Sequence, residues 1–138
     1  MKNRKLFAFL LIVCSSTFFI RCTPSRQEYL SSTKEILSTG KWTVNYFYAG
    51  QNQTSYFSNY QFSFQNNGIV ICSVDSTIVN GNWSIIHDLN NNDVLVININ
   101  SQQTSLMQLN ASWNVTDKST SAIGMKDSNS AELQFRKM

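Results

Sequence analysis

From Trp42 onward the chain is a series of short runs in which apolar and polar residues alternate, broken by turn residues. Trp42, Val44, Tyr46 and Tyr48 alternate with Thr43, Asn45 and Phe47. Tyr60, Phe62 and Phe64 alternate with Gln61, Ser63 and Gln65. A period of two is that of a strand with one buried face, because successive side chains point to opposite sides of a sheet. Further runs cover 69–74, 77–86, 94–99, 112–117, 120–126 and 131–137. Residues 106–110 are ambiguous, with one helical turn as an option. Asn67-Gly68 marks a hairpin, since both residues tolerate positive φ. Asp75-Ser76 is a second turn. Gly81 falls inside a strand and reads either as part of an Asn80-Gly81 turn or, as we prefer, as a kink that bends the strand. Eight short strands at regular spacing, with no helical run between them, predict an antiparallel sandwich or closed barrel.

The start of the chain carries a different signal. Lys2, Arg4 and Lys5 precede an almost unbroken apolar run from Leu6 to Ile20, and Arg21-Cys22 opens a polar stretch. A basic head and an apolar run of roughly 15 residues form a secretory signal. The run falls short of the ~20 residues that a spanning helix needs. We therefore expect residues 1–21 to be a lipoprotein signal peptide and Cys22 to be acylated, tethering residues 22–138 to a membrane. Arg21 stands where such signals carry a small residue. Removal of the signal changes the charge. It takes four of the 11 basic residues and none of the eight acids, so seven bases face eight acids and the net charge falls from +3 to −1. The remaining bases are scattered, which gives no footprint for nucleic acid. Cys14 leaves with the signal and Cys22 is acylated. Cys72 is then alone, unable to form an internal disulfide, and reads as a small core residue.

Between the tether and the first strand, Ser25 and Glu28 have capping-box spacing. Tyr29, Leu30, Ile36 and Leu37 recur at helical spacing, and Gly40 suits a helix stop. A helix over about 26–38 is expected, followed by strands from 41.

Gly40-Lys41-Trp42, after a short helix and at the start of the first strand, resembles the G-x-W signature of lipocalins. Arg136 sits where lipocalins often place a basic side chain over that tryptophan. Gly81-Asn82-Trp83 with Leu95-Val96-Ile97, and Leu109 followed by Trp113-Asn114-Val115, are similar to a pattern found in lipocalin-like lipoproteins of Bacteroidetes. The resemblance spans about residues 37–137. It implies an all-β fold, an eight-stranded up-and-down barrel preceded by one short helix, with Gly40, Trp42 and Arg136 closing one end. It implies a small hydrophobic or amphipathic ligand only loosely. The chain lacks the paired cysteines of typical lipocalins.

Thirteen aromatic residues remain after the signal. By alternation Trp42, Tyr46, Phe62, Phe64, Trp83, Trp113 and Phe135 point inward. Burying each stabilises the fold by ~1.5–3 kcal/mol, so a filled lumen is energetically sensible. Phe62, Phe64, Trp83, Trp113 and Phe135 are expected in the core. Tyr46, Tyr48, Tyr60 and Met125 are the candidates for a ligand wall, since tyrosine offers a hydroxyl within an apolar surface. A packed barrel acting as an interaction or scaffold module is the alternative, and its mark would be an exposed patch at Tyr56, Phe57 and Tyr60.

No enzyme is expected. The one histidine, His87, has neither a second histidine nor paired cysteines to share a metal. No nucleophile elbow or phosphate-binding glycine loop is present, and no cofactor is implied. The residues after Cys22, Thr23-Pro24-Ser25-Arg26-Gln27, include no acid. In the wider bacterial class, surface export often follows acids at these positions. The expected location is therefore the outer membrane, facing the periplasm, with the lipid anchor and a small ligand as partners and no protein partner indicated.

Overall fold

Two plugged ends and a ring-filled middle define the architecture. A computed structural model describes residues 32–138. The signal, Cys22, the Ser25/Glu28 pair, Tyr29 and Leu30 lie outside the described residues. Eight strands follow one another around a closed barrel: β1 (Trp42–Tyr48), β2 (Gln61–Phe64), β3 (Ile69–Val74), β4 (Thr77–His87), β5 (Asp93–Ile99), β6 (Ser112–Lys118), β7 (Ala122–Lys126) and β8 (Glu132–Lys137). Each pairs antiparallel with the next, and β1 pairs with β8 to close the ring. Every strand has a neighbour on both sides, with β1 and β2 joined at the single pair Trp42–Phe62.

Of the helix expected over about 26–38, residues 26–31 lie outside the described residues. Within the described residues α1 runs Thr33–Ser38, with Ser32 as its N-cap. A capping box is present, but it is made by Ser32 and Glu35. The Glu35 N–H donates to the Ser32 hydroxyl at 3.2 Å, and the Ser32 N–H donates to the Glu35 carboxylate at 2.9 Å. Ser32 has ψ 152°, so no helix continues through it. Thr33, Ile36 and Leu37 are buried and face the barrel end. Gly40 follows the cap at φ 85°, a conformation that costs glycine least.

Two hairpins form where the sequence places turns. Gly68 takes φ 86° between β2 and β3, and Asp75 takes φ 49° between β3 and β4. Gly81 is inside the continuous strand β4, so the Asn80-Gly81 turn does not form, and the glycine serves a close approach between strands. A Cβ there would stand 2.5 Å from the Asn98 carbonyl oxygen and 2.6 Å from Ile99 Cα. Only a residue without a side chain lets β4 lie this close to β5. Residues 104–107 form a short α2 (Thr104–Met107), close to the helical turn read at 106–110.

The lumen is filled. Trp113, Phe47, Phe57, Tyr60, Phe62, Phe135, Phe64 and Trp83 touch in that order, with ring centroids 5.2–6.3 Å apart. All eight are buried, and most contacts are edge-on, the arrangement the ring quadrupoles favour. Cys72 is buried among them, and burial pushes its thiol up to about 12, as expected for a core group that stays protonated.

Two side-chain assignments differ from the sequence reading. The basic residue over Trp42 is Lys137, with its ammonium 5.5 Å from the ring centroid, and Arg136 is exposed. Leu133 and Phe135 face inward, so the period of two sends 137 in and 136 out. The second difference lies in β1. The register against β8 slips between Val44 and Tyr46, leaving Asn45 as an extra residue. This bulge reverses the alternation. Phe47 now opposes Leu133 inside, while Tyr46 and Tyr48 oppose Gln134 and Glu132 on the outer face.

Candidate functional site

Two surface grooves lie at opposite ends of the barrel. At the end closed by α1, the carboxylate of Asp93 gathers its neighbours. Thr33 donates its hydroxyl to it, and Lys118 Nζ stands 3.1 Å away. His87 Nδ1 is 3.1 Å from the other carboxylate oxygen. Partial burial pushes the Asp93 pKa up, but hydrogen bonds from Thr33 and Lys118, with the charges of Lys118 and His87, outweigh it and leave it below the ordinary value. This cluster ties α1 to β5 and β6, so the groove of about 530 Å³ beside it is a structural junction. The neighbouring Asp88 is committed as well. It accepts from the Asn90 and Asn92 N–H groups at 2.8 Å and so folds its own loop. Among the described residues no three His, Cys, Asp or Glu side chains gather to hold a metal ion.

The other end carries the stronger site. β1 and β2 share only one register pair, Trp42 with Phe62. The chain between them, residues 49–60, is thereby released to fold over the barrel mouth. Its 3₁₀ turn (Thr54–Phe57) drives Phe57 down onto Phe47 at 5.2 Å. Opposite it, the segment around α2 buries Leu106 and Leu109, and Trp113 Nε1 donates to the Leu109 carbonyl at 2.9 Å. The Tyr60 hydroxyl donates to Gln103 Oε1 and joins the two segments.

A groove of about 580 Å³ runs between these segments, within the ~300–1,000 Å³ of small-molecule sites. Gln53, Tyr56 and Tyr60 form one wall. Gln103, Thr104, Ser105 and Gln108 form the other. No lining side chain is charged. The Tyr56 ring is 59% exposed. Gln108 Oε1 is buried and has no hydrogen-bond partner among the described residues. Leaving such an acceptor unpaired costs about 1–3 kcal/mol, and Gln108 is one of the residues that line the groove.

Of the four residues assigned to a ligand wall, only Tyr60 reaches this groove. Tyr46 and Tyr48 are carried outside by the bulge, Tyr48 with 38% of its surface exposed. Met125 is buried in the core opposite Leu133. The aromatic patch expected for a scaffold does not form either, because Phe57 and Tyr60 turn inward and Tyr56 alone stays out. Phe62, Phe64, Trp83, Trp113 and Phe135 are all buried. Gln53, Gln103 and Gln108 carry no local sequence signal that would single them out.

No family model matches the chain, and no curated protein matches it significantly. Solved structures do share its architecture. A DUF4847-family protein from Bacteroides vulgatus is 16% identical over 75% of this chain and 95% of its own, with a TM-score of 0.53. A lipocalin-like protein from Bacteroides uniformis is 19% identical over 75% of this chain and 99% of its own, with a TM-score of 0.51. At these identities the likeness is one of fold, that of a lipocalin-like antiparallel eight-stranded barrel.

Proposed function

We propose that the chain is an envelope lipoprotein of the lipocalin-like type that binds a small amphipathic molecule at the barrel mouth and not in the lumen. The groove carries this reading: an uncharged cleft of ligand size with an exposed tyrosine ring and an unpartnered glutamine oxygen. The filled lumen moves the ligand from the centre of the barrel to its rim. The basic, apolar, cysteine-ended start of the sequence supports acylation at Cys22. The absence of acids at 23–27 favours the periplasmic face of the outer membrane. Among the described residues no helix is long and apolar enough to cross a membrane. We read the protein as a binder without catalytic activity.

The test is native mass spectrometry of full-length protein extracted from membranes. We expect an added lipid mass that Cys22→Ala abolishes, and a non-covalent small molecule that Tyr56→Ala releases. A second reading has its own support in the ring-filled core. It is a ligand-free interaction module, and repeated extraction of the bare, lipidated chain would favour it.

A further inference from the structure

We propose that the mouth groove takes a neutral, hydroxyl-rich ligand of the saccharide class. The inference rests on the reading of that groove as a binding site and assigns its chemistry. Charge comes first. The lining contains three carboxamides, two phenols and two aliphatic hydroxyls, with no side chain to neutralise a carboxylate, phosphate or ammonium. A charged ligand would lose hydration there without gaining a counter-charge.

Polarity then separates the neutral classes. A purely apolar ligand would cover Gln103 Nε2 without offering it an acceptor, while Gln53 Nε2 already donates to the Ala49 carbonyl at 3.3 Å. A hydroxyl both donates and accepts, and a carboxamide does the same through two adjacent atoms, so pairs of neighbouring hydroxyls match these side chains. Gln108 Oε1 has no partner and needs a donor. At Gln103 the demand is the reverse. The Tyr60 hydroxyl occupies its Oε1, which leaves Nε2 to find an acceptor. A hydroxyl-bearing ligand accepts from Gln103 Nε2, and donates to Gln108 Oε1 once that side chain turns its oxygen toward the groove. Tyr56 supplies the remaining element. Its exposed ring offers the negative face of a π-system, against which the polarised C–H face of a pyranose can stack.

A peptide would also present donors and acceptors. Peptide capture by strand addition needs an open sheet edge, and the weakly paired seam between β1 and β2 is already taken by Asn52, Gln53 and Thr54, which bond to Tyr48 and Phe47. The saccharide is therefore favoured.

The test uses the full chain, ¹⁵N-labelled, in lauryldimethylamine oxide micelles, which carry no sugar. It is titrated in turn with maltohexaose, cellohexaose, xylohexaose and mannohexaose. Hexagalacturonate, laurate and a neutral Ala-Ser hexapeptide are the contrasting probes. We expect at least one neutral hexasaccharide to give saturable shifts of the side-chain NH₂ signals of Gln53, Gln103 and Gln108. Tyr56→Ala should weaken that binding at least tenfold with an otherwise unchanged amide spectrum, while Tyr56→Phe stays within about threefold. Saturation of the same signals only by hexagalacturonate, laurate or the peptide would overturn the saccharide class while leaving the groove as a binding site. No saturable shift with any probe would overturn both.

Discussion

Each tryptophan donates its indole N–H to a backbone carbonyl outside its own strand. Trp42 donates to Leu37, Trp83 to Gln65 and Trp113 to Leu109, each at 2.9 Å. The rings fill the core while their one polar atom fastens α1, the β2–β3 hairpin and the segment after α2. Tryptophan suits such positions because its bulk is apolar and its N–H needs a partner once buried. Above Trp42 the cation is Lys137. We expect Lys137→Ala to lower stability by about 0.5–1 kcal/mol, the range of an exposed cation–π contact. Arg136→Ala should stay within about 0.5 kcal/mol of wild type, as exposed substitutions do. Urea denaturation of the two variants checks both, and the opposite order would restore the arginine. Lys137 was legible from alternation alone, since it shares parity with Leu133 and Phe135. The family pattern points one residue away, to Arg136. Tyr46 was not legible. A bulge adds one residue without altering composition, and nothing in Val44-Asn45-Tyr46 announces it.

Elements were easier to read than the faces they present. All eight strands and both hairpin turns follow from alternation and turn chemistry. The segment 49–60 does not, because tertiary contact with Phe47 decides its course and its own pattern does not. Gly81 shows what a single position can demand of an element. Gly81→Ala would drive a methyl group into the backbone of β5, and we expect a loss of about 3 kcal/mol, at the upper end of ordinary substitutions. A melting temperature close to wild type would show that β4 can move away from β5 at little cost. The docking of α1 should respond to acid. The Asp93 carboxyl is held below its ordinary value in the folded protein, so its contribution is present in full above the ordinary range near pH 4. It is lost as pH falls through the lower folded value. From pH 5 downward, the gap in urea midpoint between wild type and Asp93→Asn should shrink, most steeply below about pH 4. A gap that widens in acid would mean that the ion pair does not hold α1.

At the scale of the whole molecule, an eight-stranded barrel is just wide enough for its interior to be filled by side chains or to hold one small ligand. Here the eight buried rings from Trp113 to Trp83 settle that choice in favour of filling, and the connections at the mouth, 49–60 and 100–111, build a groove outside the ring stack. The number of aromatics in the sequence was compatible with either outcome. The deciding contacts join residues far apart in the chain, such as Phe62 with Phe135 and Phe47 with Trp113, which local pattern cannot pair. The most direct measurement is crystallography under xenon pressure, because xenon enters dry apolar voids. We expect no xenon among Phe62, Phe64, Trp83 and Phe135 in the wild type, and a site there in Phe64→Ala, where removal of the ring opens a cavity at a cost of about 3–5 kcal/mol. Ordered xenon between those rings in the wild-type barrel would mean a hollow lumen and would return the ligand to its interior.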